Sequence, residues 1–298
     1  MSDGHLVHIV KYMPEETPVL HVHLLHGMAE HIERYGEFAQ FLVGKGFIVS
    51  GHDHRGHGKT AEKNGQLGFL ADQDGFERIV EDVREVLVHV REDIGDVPLV
   101  LFGHSMGSFV ARRYMQKYSE SLAKVILSGT AFDPGIMGDI GTVIGKLASK
   151  KKTPQAESPL LNKLSFGGFN KQFQDAQTDF DWLSSDANEV KKYIDDPNCG
   201  FIPSNQFYID LFHGLKIVHH KSELKNIRKD LPILLISGLE DPVGKSGKDI
   251  FKVAKGMTNV GMENVTVQLI ENARHEILNE VNKNDTYQFI QNWMLKDV

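Results

Sequence analysis

The sequence of 298 residues contains a single cysteine, Cys199. One cysteine cannot form a disulfide within the chain, which excludes a small scaffold stapled by internal disulfides. No apolar run reaches the roughly 18 residues that a membrane-spanning helix needs. The first residues, MSDGHLVHIV, also lack a basic flank followed by an apolar segment. A secretory signal is therefore not predicted, and we expect a cytoplasmic location.

Positive charge is also scarce. The 33 lysines and arginines are outnumbered by 40 acidic residues, which gives a formal net charge of -7. Nucleic-acid binding favours a basic surface, so we expect no nucleic acid as a partner. With 41% hydrophobic and 24% charged residues, the composition is that of a globular protein. The length suits one large α/β domain with insertions or two ordinary domains.

Seven short apolar runs of strand type recur along the chain, each followed by a loop and a segment of helical pattern. They cover residues 6–10, 19–25, 47–51, 97–103, 125–129, 231–237 and 265–270. Several are nearly continuous in Val, Ile and Leu, as expected of strands that helices cover on both faces. The alternation predicts an α/β fold with a mostly parallel, doubly wound sheet.

Two helical segments of this alternation are the clearest. Residues 76–90 have apolar positions at helical spacing, and Asp74 with Glu77 is typical of a capping box at the helix start. Near the end of the chain, residues 289–294 place four apolar side chains on one stripe. This stripe predicts a final helix packed against the sheet.

The alternation fails once, between residues 132 and 229, where helical patterns continue without a convincing strand. Roughly a hundred residues are too many for a loop between two strands. We therefore predict a helical cap, residues 132–229, inserted into a core made of residues 1–131 and 230–298. This core and cap are the two expected parts of the molecule.

Two helices of the cap have distinct patterns. The first has apolar residues at helical spacing, namely Ile140, Val143, Ile144 and Leu147. The last, near residues 204–219, is apolar on almost all sides, and two interpretations are open. Either it is buried in the core of the cap, or one face lines an apolar substrate channel. The candidate substrate-binding residues on it are Phe207, Leu211, Phe212 and Leu215.

Three consecutive lysines, Lys150 to Lys152, lie between these two helices. A solvated loop is the ordinary interpretation of such a run, and contact with an anionic surface is the alternative. The alternative implies a transient contact between the cap and a membrane surface.

The stretch GHSMG at residues 103–107 follows an apolar strand and precedes a helix-compatible segment. It fits the pattern G-x-S-x-G, in which the serine lies on a strained turn between a strand and a helix. A side chain at Gly103 or Gly107 would collide with neighbouring elements in such a turn. Ser105 is therefore the candidate nucleophile, and it requires a base, an acid and an oxyanion site.

A serine hydroxyl is a weak nucleophile near neutral pH, so it needs an adjacent base that a third group holds in place. His275 lies just after the last predicted strand, and Asp241 lies in the turn GLEDPVG after the preceding one. Glu240 and Asp249 are competing carboxylates, but the position at the strand end favours Asp241. The chain order Ser105, Asp241, His275 is the order of an α/β-hydrolase triad.

An oxyanion requires two backbone donors. We expect one from the N–H of Met106, directly after the candidate nucleophile, and the other from the N–H of Met28, where Gly27 lets the chain turn. Glu30 and His31 are expected to brace this segment, which we call the oxyanion loop (residues 26–31).

Histidines are concentrated between residues 21 and 57, and a metal site is one interpretation of them. They are His21, His23, His26, His31, His52, His54 and His57. Their spacing lacks the helical i, i+4 pair of a zinc protease. We expect instead that His26 and His57 form hydrogen bonds in loops, and that Asp53 and Arg55 tie their loop to its neighbours. No metal and no cofactor are predicted, and Cys199 is either a small buried residue or part of the pocket mouth.

Several segments resemble the monoacylglycerol lipase and lysophospholipase group of α/β-hydrolases. They are HGMAEHIERY, DHRGHG, GHSMG, GLEDP and the final pair RH at residues 274–275. The cap segments DWLSSDANEV and DPNCGF resemble bacterial members of that group. The resemblance spans nearly the whole chain and implies an α/β-hydrolase with an inserted helical cap. It also implies a serine esterase with the triad and oxyanion donors named above.

The motifs predict a serine esterase or lipase that works through an acyl-enzyme. The resemblance implies that its substrates are single-chain acyl esters, such as monoacylglycerols or lysophospholipids. One alternative is a serine hydrolase of other specificity, a short-chain carboxylesterase or an aminopeptidase. Another is a non-catalytic binder that kept the hydrolase scaffold. The expected partner is a small-molecule lipid or ester substrate, and the sequence does not define the oligomeric state.

Overall fold

The computed structural model describes residues 1–133 and 135–296. The strands among them are β1 (Ile9–Tyr12), β2 (Leu20–Leu25), β3 (Phe47–His52), β4 (Leu99–His104), β5 (Lys124–Ser128), β6 (Ile233–Gly238) and β7 (Val265–Ile270). They form one sheet in the order β1-β3-β2-β4-β5-β6-β7. Only the β1–β3 pair is antiparallel. The predicted mostly parallel α/β sheet is confirmed. All seven predicted strands are present, β7 with the predicted bounds and the other six with displaced ends.

Helices surround this sheet. They are α1 (Gly36–Val43), α2 (Gly58–Asn64), α3 (Gly75–Ile94), α4 (Met106–Tyr118), α5 (Ile136–Lys151), α6 (Pro159–Phe166), α7 (Ala187–Asp195), α8 (Asn205–Ile217), α9 (Lys221–Leu224), α10 (Lys248–Thr258) and α11 (Lys283–Leu295). None of the described helices combines the length and the apolar character that a membrane span requires.

Strand β4 illustrates how the sheet is covered on both faces. Leu99 and Leu101 pack in one apolar cluster with residues of α3 and α4. Val100 and Phe102 pack in another cluster with residues of α1 and α11. Successive side chains of a strand point to opposite faces, so a strand buried on both faces must be apolar throughout. The predicted final helix is confirmed as α11, which packs against the second face.

The predicted capping box at the start of α3 is wrong. Asp74 precedes the helix with φ 52°, and its side chain makes no capping hydrogen bond. A capping side chain normally requires an extended backbone at that residue, which this left-handed conformation replaces. The carboxylate of Asp210 on α8 lies here instead, so close to Gly75 that a Cβ at this position would be 2.4 Å from its Oδ2.

Between β5 and β6 the described chain forms helices α5 to α9 and no strand longer than the isolated bridge between Glu157 and Ser204. Helix α5 packs closely on α8, and two glycines of α5 have no room for a side chain at this contact. A Cβ on Gly141 would lie 2.5 Å from the Phe212 ring, and one on Gly145 would lie 2.9 Å from Ile209. The boundaries of the cap remain a prediction.

The apolar stripe of α5 faces outward. Val143 and Leu147 are each 57% exposed and Ile140 is 46% exposed. The glycines take the inner face because α8 approaches too closely for larger side chains. Periodicity identifies an apolar stripe on α5, but the packing with α8 uses a different face of the helix.

Candidate active site

The turn at Ser105 joins the end of β4 to the start of α4. Ser105 has φ 51° and ψ -119°, a conformation that non-glycine residues rarely adopt. A Cβ on Gly103 would lie 2.3 Å from the carbonyl oxygen of Gly107, and a Cβ on Gly107 would lie 2.2 Å from that of Leu25. Both glycines are therefore required by close backbone approaches, as the G-x-S-x-G pattern predicts.

His275 and Asp241 lie in the loops that follow β7 and β6. The Nδ1 atom of His275 is 3.0 Å from both carboxylate oxygens of Asp241. Asp241 also accepts hydrogen bonds from the Ser237 hydroxyl at 3.0 Å and from the Val243 N–H at 2.8 Å. These bonds hold the carboxylate against the imidazole, so the ring presents Nε2 away from Asp241.

The electrostatics of this pair favour an imidazole that accepts a proton. His275 is 2% exposed and Asp241 is fully buried. Burial lowers the pKa of His275, but the Asp241 carboxylate more than offsets this and leaves the pKa raised. Burial raises the pKa of Asp241, but the adjacent His275 outweighs it and the pKa is lowered. The carboxylate thus stabilises the imidazolium that a general base becomes.

The structure brings Ser105 and His275 to the same place at the end of β5. The Ser105 N–H donates to the Ser128 carbonyl at 2.9 Å. A Cβ on the next residue, Gly129, would lie 2.9 Å from Cε1 of His275. The ring of His104 packs 4.7 Å from that of His275. Burial lowers the pKa of His104 to about 3, so its ring is neutral near pH 7.

The oxyanion loop lies beside Ser105, since a Cβ on Gly27 would be 3.2 Å from the Ser105 Cβ. The backbone of Gly27 is held on both sides. Its N–H donates to Glu30 Oε1 at 2.5 Å, and its carbonyl accepts from Nδ1 of His26 at 2.7 Å. Nε2 of His26 accepts from the His54 N–H at 2.9 Å, which assigns the proton to Nδ1. The Gly27–Met28 peptide is thereby oriented.

The two predicted oxyanion donors are unengaged. Among residues 1–133 and 135–296, neither the Met28 N–H nor the Met106 N–H donates a hydrogen bond. Met106 is the first residue of α4, where backbone N–H groups have no intrahelical acceptor. Both groups are therefore available to a developing negative charge, and their catalytic role remains a prediction.

Six buried histidines form what we call the histidine array: His21, His23, His26, His52, His54 and His57. The Ser50 hydroxyl lies 2.6 Å from Nε2 of His21 and 2.7 Å from Nδ1 of His23. His57 Nδ1 donates to the Arg55 carbonyl at 2.8 Å. The hydrogen-bonded loop roles predicted for His26 and His57 are confirmed.

The loop roles predicted for Asp53 and Arg55 are also confirmed. Asp53 accepts from the N–H groups of Ile32 and Lys59, both at 2.8 Å. Arg55 pairs with Asp82 through two hydrogen bonds of 2.5 and 2.9 Å. Asp53 thus ties the DHRGHG loop to Ile32, directly after the oxyanion loop, and to Lys59 on α2. Arg55 ties the same loop to α3.

Within the described residues, the grouping whose donor atoms could hold a metal ion lies outside the array. It comprises His31, Asp196 and Cys199, with donor atoms within 4.8 Å of one another. His31 Nε2 already bonds to Asp196 at 2.8 Å. Cys199 is 9% exposed, and burial raises the pKa of its thiol far above the ordinary range. The buried interpretation of Cys199 therefore agrees with its position.

Sequence reasoning missed an aromatic residue of the cap at the site. The Trp182 ring packs 5.1 Å from the His275 ring. The backbone carbonyl of Trp182 accepts a hydrogen bond from the backbone N–H of His275 at 3.4 Å. Trp182 belongs to a small apolar cluster with Tyr193 and Cys199. Trp182 lies in the segment DWLSSDANEV, which resembles bacterial members of the lipase group. Nothing in that segment predicts a contact with His275.

The four candidate substrate-binding residues of α8 occupy two environments. Phe207, Leu211 and Leu215 pack in the apolar cluster with α3 and α4. Phe212 is only partly buried against this cluster. It also packs on Gly141 of α5 and lines a cavity of about 540 Å³ between α5, α8 and the start of α3. Ser105, Asp241 and His275 are not among the lining residues of this cavity. Substrate binding by α8 therefore remains a prediction.

A family model described as "Serine aminopeptidase, S33" matches residues 16–282. The chain is 26% identical to the monoacylglycerol lipase of Mycolicibacterium smegmatis, over 95% of this chain and 91% of that protein. It is 25% identical to the monoglyceride lipase of Homo sapiens, over 98% of this chain and 88% of that protein. A thermostable carboxyl esterase from Bacillus coagulans, solved in complex with glycerol, matches with a TM-score of 0.90 and 28% identity, over 97% of this chain and 93% of that chain.

Proposed function

Because this chain belongs to the hydrolase family described as serine aminopeptidase, S33, we propose that it is a lipase for single-chain acyl esters, namely monoacylglycerols or lysophospholipids. At a coarser level, the chain has the α/β-hydrolase fold and is a serine ester hydrolase with a small-molecule ester substrate. The finer proposal is supported by relatives named monoacylglycerol lipase that align over almost the full chain. The aminopeptidase alternative is not favoured.

The observation that carries the mechanism is the bonded pair Asp241–His275 beside the strained Ser105. In our proposal Ser105 Oγ attacks the ester carbonyl carbon while its proton passes to Nε2 of His275. Asp241 keeps the other ring nitrogen protonated and stabilises the imidazolium. His275 then protonates the leaving alcohol, which is glycerol from a monoacylglycerol or the glycerophosphodiester from a lysophospholipid, and an acyl-enzyme remains.

The tetrahedral oxyanion would be bound by the N–H groups of Met28 and Met106. These donors are backbone groups in place before reaction, so they require little reorganisation when charge develops. In the second half-reaction His275 removes a proton from water, and the hydroxide attacks the acyl-enzyme. Ser105 recovers its proton from His275, and the free fatty acid leaves.

The test is a panel of four substrates: a monoacylglycerol, a lysophospholipid, a short-chain ester and an aminoacyl amide. We expect the highest kcat/KM on one of the single-chain acyl lipids. Ser105→Ala should lose about a millionfold in kcat. A fluorophosphonate should label the wild type covalently and should not label this variant. Preferred hydrolysis of the amide would contradict the lipase proposal, and residual ester turnover in the variant would contradict the nucleophile.

We also propose that the cap contacts lipid surfaces transiently through α5. Its outward face carries Ile136 at 77%, Met137 at 67% and Leu147 at 57% exposure, and it ends at the exposed Lys150 and Lys151. An apolar helix face beside cations suits a surface with acyl chains and anionic head groups. This contact would bring the site to insoluble substrate.

Vesicle cosedimentation tests this contact. The double variant Val143→Ser with Leu147→Ser should bind anionic vesicles about tenfold more weakly, because it removes exposed apolar area from α5. Val88→Ser on α3, where Val88 is 58% exposed, is the matched control and should bind like wild type. Equal vesicle binding by both variants would exclude the α5 face.

The cytoplasmic location belongs to the same proposal. It is supported by the single cysteine, Cys199, which forms no internal disulfide. Fractionation of the source cells should recover the ester hydrolase activity with cytoplasmic markers. Recovery in an extracellular fraction would contradict it.

A further inference from the structure

We propose that Arg34 is a positioning residue. Through ion pairs with Glu30 and Glu276 it holds the oxyanion loop and the loop of His275 at a fixed distance from each other. This inference rests on the proposed function, since it concerns the alignment of the oxyanion donors with the general base. Arg34 itself touches neither Ser105 nor the reacting atoms.

The sheet order explains why such a link is needed. The oxyanion loop follows β2, and His275 follows β7, with β4, β5 and β6 between these two strands. No backbone pairing therefore sets the distance between the Met28 N–H and the His275 ring. A side-chain bridge across the strand ends can set it directly.

Arg34 makes this bridge with a single guanidinium group. Its Nη1 is 2.7 Å from Oε2 of Glu30 and 2.7 Å from Oε1 of Glu276. Its Nη2 is 2.7 Å from Oε2 of Glu276, which makes that contact bidentate. The Arg34 side chain is 10% exposed, and those of Glu30 and Glu276 are 4% and 6% exposed. The planar fork of arginine suits this geometry, whereas a lysine offers one point charge.

On one side, the bridge reaches the backbone beside the candidate oxyanion donor. The second oxygen of Glu30, Oε1, accepts the Gly27 N–H at 2.5 Å and the Tyr35 hydroxyl at 2.9 Å. Gly27 immediately precedes Met28 and lies against Ser105. Both carboxylate oxygens of Glu30 are thus engaged, so a shift of Arg34 would be transmitted to Gly27.

On the other side, the bridge reaches the residue directly after His275. Glu276 is tied to the cap by its N–H, which donates to the Leu183 carbonyl at 2.7 Å. Its Oε2 also accepts from Asn279 at 2.9 Å. Burial raises the pKa of Glu276, but Arg34 outweighs this and lowers it to about 2, so the carboxylate is ionised in the bridge.

Kinetics of Arg34→Met, at a temperature where the variant is folded, test this role. We expect kcat to fall about 10- to 100-fold with KM within about twofold, because misplacement of about 1 Å is expected to cost turnover rather than ground-state binding. Affinity for a trifluoromethyl ketone, which becomes an oxyanion in the site, should fall in parallel with kcat/KM. Arg34→Lys should recover part of the loss.

The matched control is Arg55→Met. Arg55 is 5% exposed and pairs with Asp82 and Asp3 away from the triad. This variant should lose thermal stability comparably while the kcat of the folded enzyme stays unchanged. Equal kcat losses at Arg34 and Arg55 would assign a structural role to both and overturn the proposal.

Glu276→Gln keeps Arg34 and serves if Arg34→Met does not fold. It should lower kcat and ketone affinity together, and an unchanged kcat would overturn the proposal. Fluorophosphonate labelling separates this from the proposed function. A wild type that neither labels nor turns over esters refutes the function, whereas a labelled, active wild type with an equally active Arg34→Met refutes only the positioning role.

Discussion

His275 and the histidine array are buried to nearly the same degree, yet their pKa values move in opposite directions. His275 is 2% exposed, and each member of the array is at most 1% exposed. Burial lowers the pKa of His21 and of His57 to about 4. The pKa of His275 is raised, because its loss of hydration is outweighed by Asp241.

The partners of the two groups account for this difference. His275 bonds to a carboxylate, whereas His23 bonds to the Ser50 hydroxyl and to the His52 ring. His54 has neither ring nitrogen bonded within the described chain, which is tolerable only for a neutral ring. Burial alone therefore favours the neutral imidazole, whereas one ionised carboxylate beside the ring makes a buried histidine a better proton acceptor.

The largest expected effect comes from removing that neighbour. Asp241→Asn should lower kcat about 10⁴-fold, because the imidazolium loses its carboxylate and the ring can adopt the wrong tautomer. In wild type, kcat/KM should fall as the pH drops through a value above 6.5, where His275 becomes protonated. Any remaining activity of the variant should persist to lower pH, as expected of an array-like histidine.

Both effects can be measured as kcat and kcat/KM for the hydrolysis of a soluble ester over a range of pH values. Asp249→Asn, at the start of α10, is the control carboxylate and should keep the wild-type pH profile. An Asp241→Asn enzyme with an unchanged profile would show that the carboxylate does not set the protonation of His275.

The next effect is on stability in acid. The unfolded chain binds protons that the folded array excludes, so the free energy of unfolding should fall as the pH drops from 6.5 toward 4. At about 1.4 kcal/mol per pH unit, a pKa of about 4 for His57 corresponds to about 3 kcal/mol lost on full protonation. Nε2 of His57 is buried without a partner, which leaves a protonated ring unsatisfied.

Urea unfolding at several pH values measures this loss. His57→Phe removes one titrating ring beside Phe201 and Phe207, and it should give a shallower dependence of stability on pH. His89→Phe, at the surface of α3, should keep the wild-type slope. Equal slopes in all three proteins would mean that His57 does not contribute.

The smallest effect is expected from Ser50→Ala. Its hydroxyl serves both His21 and His23, so its loss leaves buried ring nitrogens unpaired and should cost about 1 to 3 kcal/mol at pH 8. Ser2→Ala removes a surface hydroxyl that bonds Glu85 and is the control. Equal stabilities of the two variants would show that the array does not depend on Ser50.

Most of the correct predictions came from short segments of the sequence. Strand periodicity located all seven strands, and the elbow pattern with strand-end positions led to Ser105, Asp241 and His275 as candidates. These features are local, since a buried parallel strand is apolar throughout and the turn at Ser105 admits only glycine at its close approaches. The capping box at Asp74 failed because the backbone there is left-handed.

The strands of a mostly parallel sheet, the chain order of the candidate triad and the glycines of the elbow were all predictable from the sequence. Three features were not: Arg34 meets Glu276 across 242 positions of the chain, Trp182 packs on His275, and the apolar stripe of α5 faces outward. Periodicity shows which face of a helix or strand is apolar or charged, but it does not identify the neighbour. The neighbour that meets the face depends on how the loops bring distant strand ends together.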